Sequence, residues 1–251
     1  MQDIGGCRSI LSTIKNVDLV YSSFKDSYMR HKLVNEKNYI LEPKASGYRG
    51  IHMVYRYHSE RNEVFNDFQI ELQIRTKLQH VWATSVETIG LFTNQSLKSS
   101  MGSDKWLRLL ALISTVFAQE ENTPIIPDTP ENKKDLLLEI RELVHELDML
   151  TKIDAYKVAI RELNKRKNDN NQYYLLNIDR QKKIMNFQGY TKDELEIATN
   201  EYLRKEQENI GTQQDVVLVS SDTLDNVQIA YPNYFYDTTE ISQRIRNLIA
   251  N

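Results

Sequence analysis

The 251-residue sequence predicts a mixed α+β fold in two parts, and three observations predict it. In the first part, strand-like runs such as residues 68–75, with strict alternation, are interspersed with helical segments of 3.6-residue periodicity. Pro124, Pro127 and Pro130 then break the chain near its middle. A second, smaller set of strands and helices follows from about residue 172.

Residues 8–14 read as a short strand and 16–33 as a helix with a basic end. The segment from Glu42 to Gly50 holds Pro43, Gly47 and Gly50 and reads as a loop. Residues 51–57 form the next expected strand. In the strand 68–75, Phe68, Ile70, Leu72 and Ile74 share one face, and Gln69, Glu71, Gln73 and Arg75 the other. A helix is expected from Lys77, with Leu78, Trp82, Ser85 and Ile89 on one side. Another runs from Asp104 to Gln119, where Trp106, Leu109, Leu110, Ile113, Val116 and Phe117 recur at helical spacing. Beyond the prolines, an amphipathic helix begins near Lys133, and a second helical stretch ends in the polar run 165–171. The last part pairs strands 173–178 and 183–187. A capping box, Thr191 with Glu194, opens a helix to about Gln207, and Asp215–Ser220 is a strand. Asp237 with Glu240 is expected to cap the final helix. The expected divisions are therefore 1–125, a helical linker 126–171, and a small α/β module 172–251.

Composition bounds the function. Hydrophobic residues are 40% and charged residues 27%, as in soluble globular proteins. No apolar run approaches the roughly 18 residues of a membrane span, and no basic-then-apolar signal opens the chain. The single cysteine, Cys7, permits no intrachain disulfide, so a reducing cytoplasm is the expected compartment. Residues 1–125 hold 15 Lys/Arg against 13 Asp/Glu, a net of +2; the remaining 17 against 22 give residues 126–251 a net of −5. The basic excess is densest in 25–56, from Lys25 through Arg49 to Arg56. It fits either a polyanionic substrate or a solvated mixed-charge surface.

Three clusters carry chemistry. Asp3 and Arg8 flank Gly5-Gly6, so a carboxylate for a metal ion and a guanidinium for a phosphate stand beside a tight turn; a capped turn has the same pattern. Lys44-Ala45-Ser46-Gly47-Tyr48-Arg49-Gly50-Ile51-His52 sets a tyrosine between glycines ahead of a strand. An exposed tyrosine there can stack on a nucleobase, or can pack on its own turn. Glu71, Gln73 and Arg75 on one strand face fit metal or base chemistry beside a phosphate clamp, or a cross-strand ion pair.

The strings MQDIGGCR (1–8), SGYRGIH (46–52) and IELQIRTKLQHVWA (70–83) resemble, in order and separation, the three hallmark segments of RelA/SpoT synthetase domains. The resemblance spans roughly residues 1–120 and implies a nucleotidyltransferase-like mixed sheet with flanking helices. It implies that Asp3 and Glu71 hold Mg²⁺, with Glu71 also activating the attacking hydroxyl, and that Tyr48 stacks on the acceptor base. It places Arg8, Lys44, His52, Gln73 and Arg75 among the nucleotide and phosphate contacts. The implied reaction moves the β,γ-pyrophosphate of ATP to a ribose 3′-hydroxyl and releases AMP. Family members carry a Lys/Arg-rich helical segment before the Asp-x-x-Gly turn; this sequence starts two residues before Asp3, so that segment is expected to be missing.

Residues 172–251 resemble the C-terminal pseudo-zinc-finger of CapRel-type toxic small alarmone synthetases, fused toxin–antitoxin proteins of phage defence. No Cys or His follows His145, so a Cys/His zinc site is excluded there. The family's inhibitory Tyr-x-x-Tyr is matched by Tyr231-Pro232-Asn233-Tyr234, with Phe235 and Tyr236 following. Such a cluster exposes apolar surface unless docked on a partner, or else packs within its own module. Three readings follow. The first is a self-inhibited pyrophosphokinase acting on the 3′ CCA end of tRNA and released by a phage protein. The second is a synthetase acting on GDP or GTP, and the third a catalytically dead regulatory fragment.

Overall fold

A computed structural model describes residues 5–93, 97, 102–154, 170–179, 184–209, 212, 214–220 and 234–250. They fall into two compact units, one drawn from 1–83, 102–143 and 248–251, the other from 84–101 and 144–247. The fold is mixed α+β, as expected.

The first unit is built on a four-stranded sheet of order β1-β4-β3-β2, with β1 Gly5–Leu11, β2 Lys32–Asn38, β3 Ile51–Arg56 and β4 Gln69–Thr76. β1 runs parallel to β4, whereas β3 is antiparallel to both β4 and β2. Helix α1, Ile14–Lys25, starts at Thr13, whose hydroxyl accepts the Asn16 N–H, and covers one face of the sheet. Its Val17 joins Ile51, Met53, Tyr55, Leu72 and Ile74 of the sheet in one buried cluster. Because side chains alternate along each strand, the residues between these must point to the other face.

The helix expected over 16–33 ends at Lys25; residues 26–31 are irregular, and β2 begins at Lys32. This edge strand reads KLVNEKN, with no apolar alternation and a bulge between Leu33 and Asn35. Edge strands bury little, so hydrophobic periodicity does not report them.

Helices α2 (Lys77–Phe92), α3 (Asp104–Glu121) and α4 (Lys133–Glu146) follow near their expected places. α3 is capped by Ser103 and ends at Asn122 in the left-handed conformation. It is buried on every side from Leu109 to Ala118. Arg108 on α3 forks onto Glu139 of α4 at 2.6 and 2.9 Å.

In the second unit, β5 (Tyr173–Asp179) pairs antiparallel with β6 (Ile184–Tyr190) and β7 (Gln214–Ser220), in the order β6-β5-β7. Thr191 and Glu194 form the expected capping box ahead of α5, Leu195–Glu208. Leu175, Tyr190 and Ala198 make a small core there. The last helix, α6, spans Tyr234–Ala250, so Asp237 lies inside its first turn rather than capping it. An acidic residue near a helix start is favoured in either place, and the pattern cannot separate them. Among the described residues, no helix is long and apolar enough to cross a membrane.

Candidate active site

The polar face of the first sheet, opposite α1, gathers residues from four strands in one row. The register aligns Lys37 with His52, His52 with Gln73, and Gln73 with Arg8. One step along, Glu71 lies between Val54 and Gly6.

A continuous hydrogen-bond chain runs through this face. Tyr48 Oη is 2.5 Å from His52 Nε2, and His52 Nδ1 is 2.5 Å from Glu71 Oε1. Gln73 Nε2 donates to Glu71 Oε2 at 2.6 Å, and Arg8 Nε donates to Gln73 Oε1 at 3.3 Å. Burial pushes the His52 pKa down, against the pull of Glu71, so the ring is neutral at neutral pH. A carboxylate only accepts, so Nδ1 carries the proton and Nε2 accepts from the Tyr48 hydroxyl. Donors therefore converge on Glu71 from both sides. The His52 and Glu71 side chains are 20% and 17% exposed, shielded yet reachable.

The loop before β3 delivers the tyrosine. Gly47 (φ 98°) closes a turn in which its N–H donates to the Lys44 carbonyl at 2.8 Å. A Cβ at Gly47 would fall 2.7 Å from Trp82 Cζ2, so no larger residue fits. Tyr48 is half-buried rather than exposed, because its ring packs edge-on against Tyr39 and His52. Burial pushes its pKa up. Lys44 is exposed, with Nζ 4.4 Å from the Tyr39 ring and 5.4 Å from that of Tyr48.

The structure thus brings Arg8, Tyr48, His52, Glu71 and Gln73 together, with Lys44 at the edge. Arg75 is 3% exposed, and its Nη2 donates to His80 Nδ1 at 2.7 Å. Asp3 and Tyr231 lie outside the described residues, and Tyr234 opens α6. Arg49, counted in the basic 25–56 stretch, is buried. Lys25 of the same stretch pairs with Glu36. Sequence reasoning missed Tyr39, His80 and Arg49 as neighbours of the site.

These features define a class: a mixed-sheet domain with an acid, an imidazole and a guanidinium on one face beside paired tyrosines. Residues 1–93 match the family model for the region found in RelA/SpoT proteins. Over 87 residues the chain is 33% identical to the GTP pyrophosphokinase YjbM of Bacillus subtilis strain 168, covering 34% of this chain and 39% of that protein. Among solved structures, small alarmone synthetase 1 of Bacillus subtilis bound to its product pppGpp has a TM-score of 0.42 at 26% identity, over 49% of this chain and 60% of that one. A GTP pyrophosphokinase family protein from Streptococcus pneumoniae has a TM-score of 0.42 at 25% identity, over 49% and 61%. The chain thus spans less than two thirds of the length of each.

Burial and the charges of Arg75 and Arg8 push the His80 pKa down to about 4, against about 6.5 in an unfolded chain. Between these values the unfolded state binds a proton that the folded state refuses, so stability falls as pH drops from 7 towards 4. Allowing for partial hydration, the loss is on the order of 2 kcal/mol. Urea unfolding at pH 7 and pH 4.5 checks this: His80→Gln, which keeps an acceptor for Arg75, is expected to flatten that part of the slope. An unchanged slope would contradict the assignment.

Proposed function

We propose that this chain is an ATP-dependent pyrophosphokinase that acts on the ribose 3′-hydroxyl at the CCA end of tRNA, in the cytoplasm, under restraint by its own C-terminal part. The observation that carries the catalytic reading is the chain from Tyr48 through His52 to Glu71, met from the other side by Gln73 and Arg8. It lies within the residues that match the RelA/SpoT region.

In this reading Glu71, with Asp3, would hold Mg²⁺. A carboxylate is the hard oxygen donor the ion prefers. Gly6, opposite Glu71, has no side chain to crowd it. Asp3 would be the second carboxylate beside Glu71 in this reading. When bound, the ion neutralises triphosphate charge.

The protein's residues do the rest. The acceptor's 3′-oxygen attacks the β-phosphorus of ATP, and the bond from that phosphorus to the α,β-bridging oxygen breaks. AMP leaves with the electron pair, and the hydroxyl proton passes to Glu71. The carboxylate has lone pairs free for this beyond those used by His52 and Gln73. Arg8, Lys44 and Arg75 supply positive charge along the phosphates. The Tyr48 ring meets the acceptor base. Its hydroxyl is committed to His52, so the ring is fixed in place and not free to swing.

A second reading changes only the acceptor, to GDP or GTP. The 33% identity to a GTP pyrophosphokinase across this segment favours it. ATP labelled in the β,γ-phosphates, offered with tRNA, GDP and GTP in turn, separates them. Label on tRNA is expected. Label on the guanine nucleotide alone would assign the second reading, and label on neither would leave a regulatory protein. Glu71→Gln should lower transfer at least ~100-fold, the scale of general-base catalysis.

Restraint is assigned to Tyr231 and Tyr234 in the division of residues 172–251, joined through 126–171 to a synthetase division 1–125. A phage protein that binds the same tyrosines would release the enzyme. Buried tyrosines at interfaces commonly cost about 2 kcal/mol or more when truncated. Expression of the Tyr231→Ala, Tyr234→Ala double variant should therefore stop growth without infection. Normal growth, with the variant intact and active on tRNA in vitro, would show that this element is not the brake.

A further inference from the structure

Arg49 sits between Tyr48 and Gly50 in the loop that feeds β3, yet it is 2% exposed. Its Nε donates to Ser114 Oγ at 3.1 Å, and its Nη1 reaches the Ile40 carbonyl and Thr123 Oγ1, each at 3.5 Å. Ser114, on α3 and also 2% exposed, passes the contact on: its Oγ donates to the Gly47 carbonyl at 2.7 Å. One guanidinium is thereby tied to both ends of a single loop. Ile40 adjoins Tyr39, and Gly47 adjoins Tyr48.

A buried charge costs several kcal/mol, and an apolar residue would fill the same space more cheaply. Burial pushes the Arg49 pKa down to about 10, with Glu121 as the opposing charge. The bonds Arg49 makes are directed at backbone carbonyls and hydroxyls of the loop and its support. Its return is therefore geometric. The Tyr39 and Tyr48 rings stand 5.8 Å apart at 75°, with Lys44 over both. Small shifts at Ile40 or Gly47 would open or close that angle.

We infer that Arg49, acting through Ser114, is a positioning residue that sets the spacing of Tyr39 and Tyr48 and so the fit of the acceptor base between the loop and His52. This rests on the reading of Tyr48 as the acceptor contact. Neither Arg49 nor Ser114 touches the reacting atoms.

Two measurements on Ser114→Ala and Arg49→Gln test it. In the labelled-ATP assay, Ser114→Ala is expected to raise the acceptor KM about tenfold while kcat stays within about threefold. By hydrogen exchange of the free protein, amides of residues 39–50 should exchange about tenfold faster in both variants. The β1 and β4 amides should remain as in the parent. Exchange unchanged in 39–50, or accelerated equally across the whole sheet, overturns the positioning role. A loss confined to kcat overturns it as well. If the parent transfers no label to any acceptor, the pyrophosphokinase reading fails, while the exchange result still decides whether Arg49 holds the loop.

Discussion

Glu71 receives hydrogen bonds on both carboxylate oxygens, and each comes from a different part of the sheet. His52 reaches it from β3 and is itself held by Tyr48 in the loop ahead of that strand. Gln73 reaches it from two residues along β4 and is held by Arg8 on β1. The carboxylate plane is fixed only if β1 pairs parallel with β4 in the observed register and β3 antiparallel in its own. A slip of one residue on either side would turn Arg8 or His52 to the face that α1 covers. The apolar set beneath α1, including Met53, Leu72 and Ile74, fixes that register from the other face. Core packing and site geometry are two consequences of one strand alternation.

The surroundings of this face are organised by buried cations. Arg49 and Arg75 are 2% and 3% exposed, and both are bonded to neutral groups, Ser114 and His80 among them. Their charge spreads into the site: Arg75 opposes protonation of His52 and of His80. Basic residues that look like a polyanion-binding surface in the sequence are thus divided. Some, such as Lys44, stay exposed beside the tyrosines, whereas Arg49 works inside the fold.

Much of this was legible in the sequence, because alternation in 68–75 separates Leu72 and Ile74 from Glu71 and Gln73 without reference to any other segment. The Gly47-Tyr48 turn was legible for a similar reason, since positive φ at Gly47 is a local demand. What escaped depended on distant partners. β2 is a polar edge strand whose identity comes from pairing with β3. The burial of Tyr48 comes from Tyr39, and that of Arg49 from Ser114 on α3, 65 residues away. The hydrogen bond between the Tyr48 hydroxyl and His52, at 2.5 Å, likewise joins a loop to a strand and has no local pattern.

A neutral His52, its proton on Nδ1, relays orientation from Tyr48 to Glu71. Nitrogen-15 NMR of the imidazole rings reads this directly, and a His52→Gln sample assigns the signal among the five histidines. At pH 7 the expected signal is that of a neutral ring with Nδ1 protonated and Nε2 bare. A signal from the opposite tautomer, or from a doubly protonated ring at that pH, would contradict it.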